Sequence, residues 1–222
     1  MKLLLGFILF LSSYSSSNYA FSNINTRNYI VYDYNIDEIL EGKDYSTPYS
    51  VASISKIMTA IIALESDSLF DIVCVDEIIN TIEGSSLYLE IGDRITIIDL
   101  VYGLLLRSGN DAAVLIAKHI GKDISNFVNM MNDKASAIGM SNTVFSNPSG
   151  LDIFDSGNIS SCYDMAILMS YCLKNSLFEE IINTKYYKSN IKGLWTNKNK
   201  LLHTYKYCIG GKTGVAPVFC EI

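Results

Sequence analysis

The sequence is poor in proline, with only 3 in 222 residues, modest in charge at 18% and without an excess of basic side chains, and each scarcity excludes something. Few prolines beside 49% hydrophobic residues rule out a disordered or collagen-like chain and fit one ordinary globular domain with room for a small appendage. With 17 Lys and Arg against 23 Asp and Glu, the formal charge is -6 and the pI near 4.9. Such a molecule has no general attraction for phosphate backbones or anionic lipid, so nucleic acid is not an expected partner. The five cysteines, Cys74, Cys162, Cys172, Cys208 and Cys220, lack the close pairing of a zinc site or a redox CxxC, and no metal or cofactor is implied. Their odd number excludes a complete intramolecular disulfide framework. Past the N-terminus no stretch approaches about eighteen uninterrupted apolar residues, so no second membrane span is expected. Neither an internal repeat nor a low-complexity linker is present.

What is there begins with Lys2, the apolar run Leu3 to Leu11 and a Ser-rich stretch ending in Tyr19-Ala20-Phe21, the layout of a secretory signal. Residues 1–20 are therefore read as a signal peptide and 21–222 as the working domain, outside the cytoplasm. Asn18 is not the small residue that cleavage after Ala20 prefers, which leaves an uncleaved N-terminal anchor as the alternative and the only membrane contact expected.

Tyr29 to Asp33 and Glu38 to Leu40, joined by Tyr34-Asn35-Ile36-Asp37, predict a β-hairpin. From Ser53 the period changes. Ile54, Ile57, Met58, Ile61 and Ile62 recur at helical spacing while Ala60, Ala63 and Leu64 make the other faces apolar, which predicts a buried, central helix. Thr96 with Asp99 forms a capping-box pattern for a second apolar helix through Leu106, Asp111 is read as the cap of a third ending near Gly121, and Ser125 as the cap of a fourth stopped at Gly139. Ser161 and Asp164 repeat the box before a fifth helix, and Lys206 to Gly214 reads as a late strand. Together these predict an α+β fold, an antiparallel sheet packed against a helical cluster.

Three short patterns could carry chemistry. Ser53-Ile54-Ser55-Lys56 is an S-x-x-K match, a loose pattern that occurs again at Ser189-Asn190-Ile191-Lys192. Only the first sits at the start of the most apolar helix, with serine and lysine one turn apart. A serine hydroxyl needs a base, and a lysine becomes one when burial or a nearby cation lowers its pKa toward neutrality. The alternative for this motif is an N-cap serine beside a lysine that snorkels to solvent. Ser108-Gly109-Asn110 lies between two apolar helices that can hold it rigidly; Ser156-Gly157-Asn158 repeats the tripeptide, and either can be a simple turn. Lys212-Thr213-Gly214 follows Gly210-Gly211, where lysine and threonine can bind a carboxylate and glycine lets another backbone approach.

Taken in this order, the three patterns resemble the signature set of penicillin-binding proteins and serine β-lactamases. Ala52 to Thr59, Tyr102 to Ala113 and Phe145 to Asp152, with Gly84-Ser85-Ser86, Tyr163 to Ala166 and Asn197 to Leu202, are similar to the low-molecular-mass D-alanyl-D-alanine carboxypeptidases over about Tyr29 to Gly214. The resemblance implies a β-lactamase/transpeptidase-like fold located at the cell wall or the outer face of the membrane. Ser53 would attack the carbonyl between the last two D-alanines of a peptidoglycan stem peptide, and Lys56 would be its base. Ser108 and Asn110 would relay protons and orient the amide, while Lys212, Thr213 and Gly214 would bind the substrate. Backbone N–H groups of Ser53 and Val215 would form the oxyanion hole, and β-lactam antibiotics would acylate Ser53. By the same resemblance, the sheet strands expected after Lys-Thr-Gly do not follow Val215, which gives the expectation of a C-terminally incomplete domain. The rival functions are a serine β-lactamase, an endopeptidase of crosslinked wall, and an inactive remnant or non-catalytic wall-binding module.

Overall fold

The computed structural model describes residues 26–151 and 157–214. Residues 1–20, read above as a signal peptide, lie outside the described residues, as do Ser156, Val215 and Cys220.

Strands β1 (Tyr29–Asp33) and β2 (Glu38–Lys43) form the expected antiparallel hairpin, with Asp37 of its turn at φ 59 and a bulge between Val31 and Tyr32. Strand β3 (Tyr49–Ser50) leads into a 3-10 turn, Ala52–Ser55, and then helix α1 (Lys56–Leu64). Strands β4 (Ile72–Cys74) and β5 (Arg94–Thr96) pair antiparallel just before α2 (Ile97–Arg107). The expected cap is present: Thr96 Oγ1 accepts from Asp99 N at 3.2 Å and donates to Asp99 Oδ2 at 2.6 Å.

Two caps differ from expectation. Helix α3 (Asn110–Gly121) is preceded by Gly109 at the cap, and Asp111 sits inside its first turn. The Asp111 carboxylate accepts from Ala112 N at 2.9 Å in that turn and also from Leu87 N and Ser86 Oγ, so it ties a neighbouring loop to the start of its own helix. Helix α4 (Ile124–Ala137) is capped by Asp123, which accepts from Asn126 N at 2.7 Å, not by Ser125. Lys122 is left-handed at φ 69, which places the extended cap conformation on the next residue, Asp123. Gly139, at φ 89, follows the end of α4 as expected.

Strand β6 (Ile159–Ser160) pairs with β3, and α5 (Cys162–Cys172) starts from Ser161, which accepts from Asp164 N as the box spacing predicts. Next come α6 (Ser176–Asn183), the hairpin of β7 (Tyr186–Ser189) and β8 (Gly193–Thr196), and α7 (Lys200–Thr204). The class is α+β with antiparallel pairing, but among the described residues the strands form separate two-stranded ladders around the helices. Lys206–Gly214 is not a strand. It has no ladder partner among the described residues, and Gly210 and Gly211 adopt φ 140 and 136, conformations that L side chains rarely take.

Every residue of α1 is buried, and the helix packs against α2, α3, α4, α5 and α6. Burying side chains such as Met58, Ile61 and Leu64 contributes about 1.5–3 kcal/mol each, which outweighs the weak helix propensity of its isoleucines. The β7–β8 hairpin lies against α2: Tyr187 stacks on Tyr102 at 3.8 Å and on the buried Trp195 at 5.9 Å. The four cysteines among the described residues are free thiols. Among the described residues no helix is long and apolar enough to cross a membrane.

Candidate active site

The tight turn before α1 carries Ser53, with Ala52 on one side at φ 43, a left-handed conformation that costs an alanine of order 1 kcal/mol. Ser53 makes no capping bond, so the N-cap alternative is not what the turn does. Lys56 does not snorkel either: it is 0% exposed, and its Nζ donates to Ser53 Oγ at 3.0 Å and to the carbonyl of Ser149. Among the described residues no carboxylate bonds the amine, so its charge is poorly compensated. Burial first, then the charges of Lys212 and Lys198, pull the Lys56 pKa down to about 7, against a smaller opposing pull from Asp111.

The junction of α2 and α3 supplies the next groups. Ser108 ends α2 in the left-handed conformation at φ 65, which turns the chain sharply and sends its hydroxyl into the cleft. Asn110 is buried and binds the opposite loop twice, through its N–H to Ser85 O at 2.7 Å and through Nδ2 to Glu83 O at 2.7 Å. Asp111 holds the same loop by accepting from Leu87 N and Ser86 Oγ, so the cleft wall at Gly84 and Ser85 is fixed to the first turn of α3.

On the far side Lys212 Nζ donates to Ser108 Oγ at 3.0 Å, which joins the late segment to the α2–α3 junction. Burial and the neighbouring Lys198 hold the Lys212 pKa down at about 8. Thr213 and Gly214 line the same cleft. Gly214 faces the turn that carries Ser53, and a Cβ there would stand 2.9 Å from Ile54 Cγ1.

The cleft has a volume of about 450 Å³ and is bordered by Ser53, Ser85, Ser108, Asn110, Lys198, Thr213 and Gly214. It thus gathers all three sequence patterns, with Lys56 beneath Ser53 and Lys212 beside Ser108. Residue 215 lies outside the described residues. Asn158, of the repeated tripeptide, does not line the cleft; it is wholly buried and its side chain is bonded to the backbone of Ser146 and Asn147.

Sequence reasoning gives no site role to Ser149 or Lys198, and reads Asp111 only as a helix cap. Lys198 is placed by its own N–H, which donates to Leu106 O at 3.0 Å, and its ammonium joins Lys56 and Lys212 in making a cationic cleft in an acidic protein. The segments containing Ser149 and Lys198 are family-like in sequence, but a backbone carbonyl and a lone lysine carry no spacing signal of their own.

This architecture is that of the penicillin-binding DD-peptidases. The D-alanyl-D-alanine carboxypeptidase of Mycobacterium tuberculosis superposes with a TM-score of 0.80 at 31% identity over 86% of this chain and 73% of that one. A mutant of the Streptomyces K15 DD-transpeptidase gives 0.81 at 29% over 88% and 82%. In sequence the chain is 34% identical over 186 residues to the D-alanyl-D-alanine carboxypeptidase DacF of Bacillus subtilis, covering 80% of this chain and 47% of that protein. It spans about half to two thirds of the length of the curated relatives it matches. The family model Peptidase_S11, D-alanyl-D-alanine carboxypeptidase, matches residues 14–217, and the chain belongs to that family.

Proposed function

We propose that the protein is a serine-type D-alanyl-D-alanine carboxypeptidase acting on peptidoglycan stem peptides. The observation that carries the reading is a fully buried lysine amine, 3.0 Å from a serine hydroxyl that faces an open cleft. Near neutrality a large share of Lys56 is the free amine, able to take the Ser53 proton as Oγ attacks the carbonyl of the terminal D-Ala-D-Ala bond. Collapse of the tetrahedral intermediate breaks the C–N bond. The departing D-alanine amine takes that proton, passed on from Lys56 by way of Ser108, whose oxygen is bonded to Lys212, and Lys56 is left as the free amine. Water then attacks the Ser53 ester with Lys56 again as base, which frees the shortened peptide and restores the hydroxyl.

Substrate features match the cleft. Lys212 and Thr213 would hold the terminal carboxylate, with Gly214 allowing the peptide backbone close, and the Lys198 charge favours the same anion. Asn110 would orient the substrate amide, and the N–H groups of Ser53 and Val215 would receive the developing oxyanion, a term commonly worth about 3 kcal/mol. β-Lactams would acylate the same serine. Such a substrate calls for work outside the cytoplasm, in keeping with the signal-like residues 1–20.

The test is incubation with a fluorescent penicillin and, separately, with a stem pentapeptide followed by assay for free D-alanine. Covalent label and D-alanine release that both vanish in Ser53→Ala are the expected result. Rapid loss of the label would identify a β-lactamase instead, and muropeptide binding with neither label nor release would identify a non-catalytic module.

A further inference from the structure

The segment Asn147–Gly150 takes no part in the steps above, yet it governs two contacts on α1. Thr59 Oγ1 donates to the Pro148 carbonyl at 2.7 Å, and Lys56 Nζ donates to the next carbonyl, that of Ser149. Lys56 and Thr59 are three residues apart and share a helix face, so both bonds form only if the loop backbone runs along that face. Two asparagines impose this path. Asn147 Oδ1 accepts from the backbone N–H of Ser149 at 3.1 Å and of Gly150 at 2.6 Å. Asn158 Oδ1 accepts from Ser146 N and Asn147 N, and its Nδ2 donates to Asn147 O at 2.8 Å. Gly150 then meets the turn that bears Ser53. Its φ is 73, and a Cβ there would stand 1.9 Å from Ala52 O and 2.4 Å from Ser55 Oγ.

We propose that Asn147, Gly150 and Asn158 are positioning residues for acyl transfer: through the Ser149 carbonyl they fix the rotation of the Lys56 amine, and through the bare face of Gly150 they seat the turn carrying Ser53. The proposal rests on the acylation reading above. A free amine has two N–H bonds and one lone pair in tetrahedral array. With one N–H held by the Ser149 carbonyl, the lone pair can be kept toward Ser53 Oγ rather than rotating through other directions. When the amine takes the hydroxyl proton, the same carbonyl accepts from the new ammonium without rearrangement. The charged groups that act on Lys56 are Lys212 and Lys198, which oppose its protonation, and Asp111, which favours it. None lies on the loop, so shifting the loop alters the amine's hydrogen bonding and leaves that charge set in place.

The experiment measures acylation of the full chain by fluorescent penicillin across pH for wild type, Gly150→Ala, Thr59→Val and Thr59→Ser, with folding checked by circular dichroism. Gly150→Ala should lower the plateau rate by roughly tenfold to a hundredfold, because ångström-scale displacement of reacting groups costs about that much. Thr59→Val should give a smaller loss, and Thr59→Ser should keep the wild-type rate because it keeps the hydroxyl. In the two impaired variants the pH midpoint of acylation should also fall, since a carbonyl acceptor favours the charged amine and its displacement disfavours it. A merely structural role would reduce the amount of labelled protein without moving the midpoint. Folded Gly150→Ala with wild-type rate and midpoint overturns the proposal; if that variant does not fold, an unmoved midpoint in Thr59→Val does so. Absence of label in wild type would count against the acylation reading alone. The proposal is then decided by the Lys56 midpoint, followed by NMR of carbon-13 lysine in wild type and Thr59→Val: a lowered midpoint supports it and an unchanged one overturns it.

Discussion

Ser53 and Lys56 have the same spacing as Ser189 and Lys192, and the surroundings of the two pairs separate them. Ser189 closes the β7–β8 turn, its Oγ accepting from the N–H groups of Ile191 and Lys192 at 3.3 and 3.4 Å. Lys192 reaches outward to Glu90 at 3.2 Å and Asp93 at 3.1 Å. Burial alone would depress the Lys192 pKa, but the two carboxylates outweigh it and hold the amine above its ordinary value. Lys56 has burial of a deeper kind and cations where Lys192 has anions, and its pKa falls to about 7. Four-residue spacing therefore decides nothing by itself. A helix start in the core gives this lysine no ion-paired carboxylate among the described residues, whereas a hairpin turn at the surface lets the other find two.

The sharpest way to break the contrast is to delete each hydroxyl. Ser53→Ala should abolish covalent labelling by fluorescent penicillin, whereas Ser189→Ala should leave the labelling rate unchanged once folding is confirmed. Removing the amines comes next: Lys56→Met should slow acylation by roughly a hundredfold to ten-thousandfold, the usual worth of a general base, and Lys192→Met should not change it. Stability should respond in the reverse sense. Between about 7, its folded value, and 10.5, the unfolded chain binds a proton on Lys56 that the folded chain does not, so stability rises with pH across that window. Lys56→Met should flatten that rise and increase stability at neutral pH by roughly 1–4 kcal/mol, read from urea unfolding near the two ends of the window. Acylation by wild type should rise with pH through about 7, and Lys212→Met, by removing the largest charge that opposes protonation of Lys56, should move that midpoint upward. The smallest effect belongs to the surface pair: Glu90→Gln should cost less than about 1 kcal/mol in the same unfolding assay.

The sequence made the first hairpin, α1 and the starts of α2 and α5 legible because each is written in local chemistry: turn residues, a continuous apolar surface, or a capping box. The caps of α3 and α4 were not legible, since Asp111 and Ser125 are as fit for capping as the residues that do it. Only a left-handed residue such as Lys122 sets which position is extended. Strands of two to four residues, such as β3, β4 and β7, are too short to show a period. The late segment suggested a strand by composition, but a strand needs a neighbour. At the site, the hydroxyls and amines announced themselves by motif. The Ser149 carbonyl, the cation at Lys198 and the bare Gly150 did not, because their effect depends on what long-range packing brings beside them.

Trp195 is the single tryptophan of the chain, and it is buried against Tyr187 on the hairpin that lies along α2. That gives the molecule one internal lamp. Excited where tyrosine does not absorb, its emission reports whether water has reached this wall, a short stretch of chain from both Ser108 and Lys198. Opening of that flank would be visible as a red shift in an unlabelled sample.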